Sequence, residues 1–153
     1  MPVFNRIWLD STGKQNPADL LGRGPALQVE VSIPDVMAAH LTATSSPLPT
    51  PHLGTGLIDT GAAISAVDVG VLQSLGLNPV SSIPVTTPAG DQMQGVYVVR
   101  LAFPGTPIQP QDPRPVIGSQ LAGFGHVVLL GRDLLVGALL IYDGVHGSWT
   151  IAF

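Results

Sequence analysis

The chain reads as a single, mainly β domain, and three observations predict this. Its 153 residues are about one domain's worth and enough for a sizeable core. Fifteen Pro and eighteen Gly imply many turns and short elements. The apolar stretches are rich in Val, Leu and Ile, and few reach helix length.

The elements follow in order. Residues 11–24, "STGKQNPADLLGRG", read as loop with one helical turn. "ALQVEVSI", Ala26 to Ile33, alternates apolar and polar residues and reads as a strand ended by Pro34. "PDVMAAH" is a short helix with its proline near the start, and "TATSSPLPTPHLG" is an exposed loop. Gly56 to Asp59 is a strand, Thr60-Gly61 a turn, and "AISAV" a further strand. Asp68 is placed to cap a short helix, "VGVLQSLG", that stops at Gly76. Ser82 to Phe103 has the shape of a hairpin, with apolar, β-branched arms around a Pro88-Ala89-Gly90-Asp91 tip. "PGTPIQPQDPRP" reads as a second Pro-rich loop and Val127 to Leu130 as an apolar strand. "RDLLVG" reads as a short helix stopped by Gly137, and the remainder as a closing hairpin turning at Asp143-Gly144 or Gly147.

Composition excludes several classes of function. Charged residues make up 10% of the chain, the net charge is −4, and the six Lys and Arg form no basic run. The electrostatic footprint of a nucleic-acid partner is missing, as is a polybasic membrane patch. With no cysteine there is no thiolate metal site and no Cys nucleophile. The four histidines, His40, His52, His126 and His146, lack ligand spacing, so no metal or other cofactor is expected. No phosphate-binding glycine motif occurs, and Ser65 and Ser119 lack a nucleophile-elbow context. Neither a signal peptide nor a membrane-spanning segment is legible, so the expectation is a soluble, cytoplasmic protein. High apolar content with little charge hints at a buried self-association surface. Trp8 and Trp149 read as core or interface anchors.

One segment carries chemistry. In "GTGLIDTGAAISAVD", an apolar strand delivers Asp59 into a tight turn in which Gly61 permits close backbone approach. Carboxylates are rarely buried unless something holds them. Turn N–H groups can hold one ionised, and an Asp that merely caps a turn is the simpler alternative.

"L-I-D-T-G-A" resembles the active-site signature of aspartic proteases, and "VVLLGRDLL" is similar to the carboxy-terminal apolar–Gly–Arg–Asp/Asn segment of retroviral-type members. The resemblance covers roughly residues 26–153; residues 1–25 have no match and are set apart as an N-terminal extension. It implies an all-β, closed acid-protease-like barrel of one lobe with one or two short helices, acting as a homodimer. With one D-T-G per chain, two Asp59 carboxylates would meet on a two-fold axis, activate water and hydrolyse a peptide or protein substrate.

By the same resemblance, Thr60 hydrogen-bonds across to the partner backbone and the Gly61 carbonyl accepts from substrate. Arg132 and Asp133 brace the site. Retroviral members place an acidic residue shortly after D-T-G-A; here Ala63 and Ile64 stand there, so Arg132 needs another partner. Ala62 cannot donate to the carboxylate, as the Ser or Thr of pepsin-like members does, which predicts activity in mildly rather than strongly acidic conditions. Ala63, Ile64, Ala89 and Gly90 would line the substrate strand, the last two at the tip of a flap. Residues 149–153 are the expected dimer strand. Asp10, in "LDSTG", is one residue too far from its Thr-Gly and reads as an ordinary turn. The rival reading is a non-catalytic dimeric peptide-binding module of the same fold.

Overall fold

The computed structural model describes residues 1–87 and 90–153. Its elements in chain order are β1 (Val3–Ile7), α1 (Pro17–Arg23), β2 (Ala26–Ser32), α2 (Asp35–Ala43), β3 (His52–Ile58), β4 (Ala66–Asp68), α3 (Val69–Ser74), β5 (Ser81–Thr87), β6 (Gly90–Ala102), β7 (Gln111–Ser119), β8 (Val128–Leu130), β9 (Leu139–Asp143) and β10 (Ser148–Ala152).

Alternation along β2 decides which way the main sheet faces. Leu27, Val29 and Val31 are buried, whereas Gln28 is exposed and Glu30 lies at the margin. The sheet runs β2-β3-β8-β4-β7-β6-β5, and a further β2–β6 pairing closes it into a barrel. Glu30, Val31 and Ser32 make that closure against Ala102, Leu101 and Arg100. The enclosed core contains Val67, Leu72, Leu101, Val116, Val128 and Leu130. A second sheet, β1-β10-β9, packs Trp149 and Ile151 into the same core, with the Phe4 and Trp149 rings 5.4 Å apart. Residues 1–25 thus contribute β1, paired with β10, and α1, whose Leu20 is fully buried in that core.

The local signals at Asp68 and Gly76 act as read. Asp68 accepts a hydrogen bond from Gly70 N at 2.9 Å at the start of α3, and Gly76 takes a positive φ of 69° after its end. Asp10 Oδ1 accepts from Thr12 N at 2.7 Å and Lys14 N at 3.1 Å, closing an ordinary Asx-type turn.

Five segments differ from expectation. The end of the stretch read as an exposed loop is strand, because β3 already pairs with β2 from His52. "RDLLVG" is not a helix. Leu134 N donates to Gly131 O, Leu135 N to Arg132 O and Ala138 N to Leu135 O, so the segment is built of turns closed by i-to-i+3 bonds in place of an α-helix. The second Pro-rich stretch is loop only at first, and from Gln111 it is strand β7. Pro113 and Pro115 fit there because β4 pairs with β7 only at Ile117–Ser119, so the N–H groups those prolines lack are not needed on that side. "AISAV" is strand only from Ala66, since the carbonyls of Ala62, Ala63 and Ser65 serve the neighbouring loop and β7. Finally, β10 holds residues 149–152 between β1 and β9, so both its edges are paired within the chain.

Candidate active site

Asp59 stands one residue beyond β3. Its strand is parallel to β8, with Ile58 opposite Leu130, and Asp59 N donates to Leu130 O at 2.9 Å. The side chain folds back on its own turn: Gly61 N donates to Asp59 Oδ1 at 2.9 Å, and Ala62 N to Asp59 O at 3.2 Å. Among the described residues nothing donates to Oδ2. The carboxylate is half-buried, whereas Thr60 and Gly61 are exposed.

A second turn grips the first from behind. Arg132 Nη1 donates to Thr60 O at 2.7 Å and to Gly61 O at 3.2 Å. Arg132 N donates to Ala62 O at 2.9 Å and Asp133 N to Ala63 O at 3.2 Å. The partner left open for Arg132 in the sequence is therefore the backbone of the Asp59 turn, not an acidic side chain. Gly131 makes the close approach possible, because a Cβ there would stand 2.7 Å from the Ile64 carbonyl carbon.

Beneath the two turns lies a polar network that sequence reasoning missed. Ser65 is fully buried; its Oγ donates to Asp133 Oδ1 at 2.8 Å and accepts from Gly131 N at 3.0 Å. Arg114, on β7, forms a short charge-assisted bond from Nη2 to Asp133 Oδ2. Asp133 is thus satisfied on both oxygens. A lone Ser in the apolar run "AISAV" was the available signal for Ser65. Arg114 lay inside a stretch read as loop, so nothing pointed to it.

Ala63 and Ile64 follow the Asp59 turn and are exposed, Ile64 at 36%. Gly90 opens β6 with a φ of 106°, and Ala89 lies outside the described residues. Near the hairpin tip Thr86 Oγ1 and Asp91 Oδ1 are 2.7 Å apart. A cavity of about 700 Å³ lies along the hairpin, lined by Met93 and Tyr97 on one side and by Val69 and Gly118 on the other. None of residues 59–64 lines it. Among the described residues no group of three His, Cys, Asp or Glu could hold a metal, and no helix is long and apolar enough to cross a membrane.

The fold is retropepsin-like. The chain is similar to the crystal structure of a retropepsin-like aspartic protease from Rickettsia conorii, at 12% identity and a TM-score of 0.51, over 97% of this chain and 90% of that one. It also aligns with the solution structure of Simian Foamy Virus (mac) protease, at 18% identity and a TM-score of 0.45, over 72% of this chain and 91% of that one. No protein-family model matches the chain, and no curated protein sequence matches it. Identities this low speak to the fold alone.

Proposed function

We propose that this protein is an aspartic endopeptidase whose active site forms when two chains place their Asp59 turns together. The observation that carries this reading is a half-buried carboxylate on a turn fixed from both sides, in a retropepsin-like fold. One oxygen of Asp59 is committed to Gly61 N–H, and the other is left for chemistry. Aspartic proteolysis uses two adjacent carboxylates that share one proton. The ionised Asp59 takes a proton from water, and the water oxygen attacks the scissile carbonyl carbon. The protonated Asp59 of the other chain donates to the carbonyl oxygen. The tetrahedral intermediate then collapses, the C–N bond breaks, and the leaving nitrogen receives a proton from the dyad.

The roles of the neighbours follow from the same geometry. Arg132 holds the carbonyls of Thr60 and Gly61, so the turn keeps its shape when substrate arrives. Asp133 anchors Arg132's own turn through Ser65 and Arg114. Thr60 is exposed and free to reach the partner turn. Ala63 and Ile64 offer an apolar wall, which favours hydrophobic side chains around the scissile bond. The β5–β6 hairpin serves as the flap, closing over an extended peptide. Because β10 is paired on both edges, the chains meet through the outer face or the free edges of β1 and β9, where Val3, Ile7, Leu139 and Ile141 are exposed.

Digestion of a peptide library, read by mass spectrometry from pH 4 to 7, tests the proposal. Wild type should cleave and Asp59→Asn should not, with a loss of at least about a hundredfold. Equal cleavage by both proteins would remove Asp59 from the chemistry. No cleavage by either, from protein shown to be dimeric, would leave a binding module.

A further inference from the structure

The basic residues divide unevenly. Arg100 is paired with Glu30 and Asp35, Arg114 with Asp133, and Arg132 with the Asp59 turn. Arg6 and Arg23 are different: both guanidinium carbons lie over the ring of Trp8, at 4.2 and 5.2 Å from its centroid. Arg6 is on β1 and Arg23 ends α1, so residues 1–25 bring the two charges together. Arg6 has no carboxylate partner among the described residues and reaches only Ala26 O, at 3.5 Å. Arg23 has Asp19 at a loose 3.7 Å. Two like charges on one ring repel each other, and the ring itself offsets only part of that.

These groups line a cavity of about 330 Å³ together with Thr55, Phe124 and His126. The indole Nε1 of Trp8 is buried without a hydrogen-bond partner among the described residues, as is Nδ1 of His126. An indole N–H and a guanidinium can only donate. Two guanidinium groups thus line the pocket, and none of its lining residues is acidic. A neutral ligand such as water would leave Arg6 without a counter-charge and Arg23 with only its loose Asp19 contact.

We infer that this pocket, formed by β1, α1 and the loop before β8, is a binding site for an oxyanion, either a carboxylate or a phosphate group. Arg6 and Arg23 supply charge-assisted donors beside the Trp8 ring, and Thr55 and Phe124 are among the other residues that line the cavity. The site is separate from the Asp59 turn, since none of residues 59–64 lines the cavity. It gives residues 1–25 a ligand-binding role that holds whether or not the chain cleaves peptides.

The chain has two tryptophans, so a nitrogen-15 spectrum shows two indole signals, and Trp8→Phe assigns them. Inorganic phosphate and acetate are titrated separately, with sodium chloride at matched ionic strength as the control. The Trp8 signal should move saturably while that of the fully buried Trp149 stays in place, and the anion that saturates lower names the preferred class. Arg23→Gln, at an exposed position, should weaken binding about tenfold, and adding Arg6→Gln should abolish it. A Trp8 signal that moves no more than in chloride, or that moves identically in Arg23→Gln, would overturn the inference.

Discussion

At the scale of single residues, the site depends on close approach. Arg132 is itself exposed, so its bonds to Thr60 O and Gly61 O contribute little to global stability. Gly131 is buried and has no such latitude. Gly131→Ala would push a methyl into the Ile64 backbone, and we expect a loss of about 1–3 kcal/mol in urea unfolding together with weaker peptide cleavage. An alanine accommodated without loss would show that the two turns are not held at this distance. The residue scale is also where the sequence was most legible. Asp59, Thr60 and Gly61 stood out because D-T-G-A after an apolar strand resembles the aspartic-protease signature. Ser65 and Arg114 do not, because their partner, Asp133, is distant in the chain and only the β4–β8 and β4–β7 pairings bring them together.

At the scale of elements, local chemistry was readable wherever one residue decides the outcome. Asp68 and Gly76 bound α3 through a cap and a positive φ, and alternation on β2 fixes its buried face. Elements decided by distant pairing were not readable. β7 carries two prolines and looks like loop, yet β6 supplies its partner residues from Gln111 onward. Where a helix is expected after Arg132 the chain instead makes turns closed by i-to-i+3 bonds, while Arg132 N and Asp133 N bond the Asp59 turn.

The β9–β10 turn offers a pH test at this scale. Asp143 accepts hydrogen bonds from the His146 ring and from the N–H groups of Val145 and His146, which hold its carboxyl below the ordinary range, the His146 side chain contributing most. A lowered carboxyl favours the folded turn above the ordinary carboxylate range, and that contribution fades as pH falls through the lowered value. In His146→Ala the Asp143 carboxyl should titrate at higher pH by carbon-13 NMR; an unchanged titration would show that the ring bond is not formed.

At the scale of the molecule, a barrel closed by β2–β6 and a separate three-stranded sheet share one core through Trp149 and Ile151. The β9–β10 hairpin of that sheet was legible in the sequence, but its third strand was not, because β1 and β10 lie at opposite ends of the chain and neither carries a mark of the other. The central claim concerns assembly: catalysis needs one Asp59 from each of two chains. Subunit mixing tests it most directly. Wild-type protein is incubated with an equal amount of Asp59→Asn until the chains exchange, and cleavage is compared with wild type at the same total concentration of chains that can pair. Random pairing puts roughly half of the wild-type chains into mixed, one-carboxylate dimers, so activity per wild-type chain should fall to about half, and further as the variant is added in excess. Activity per wild-type chain that stays constant at every ratio, with exchange verified, would contradict a shared site.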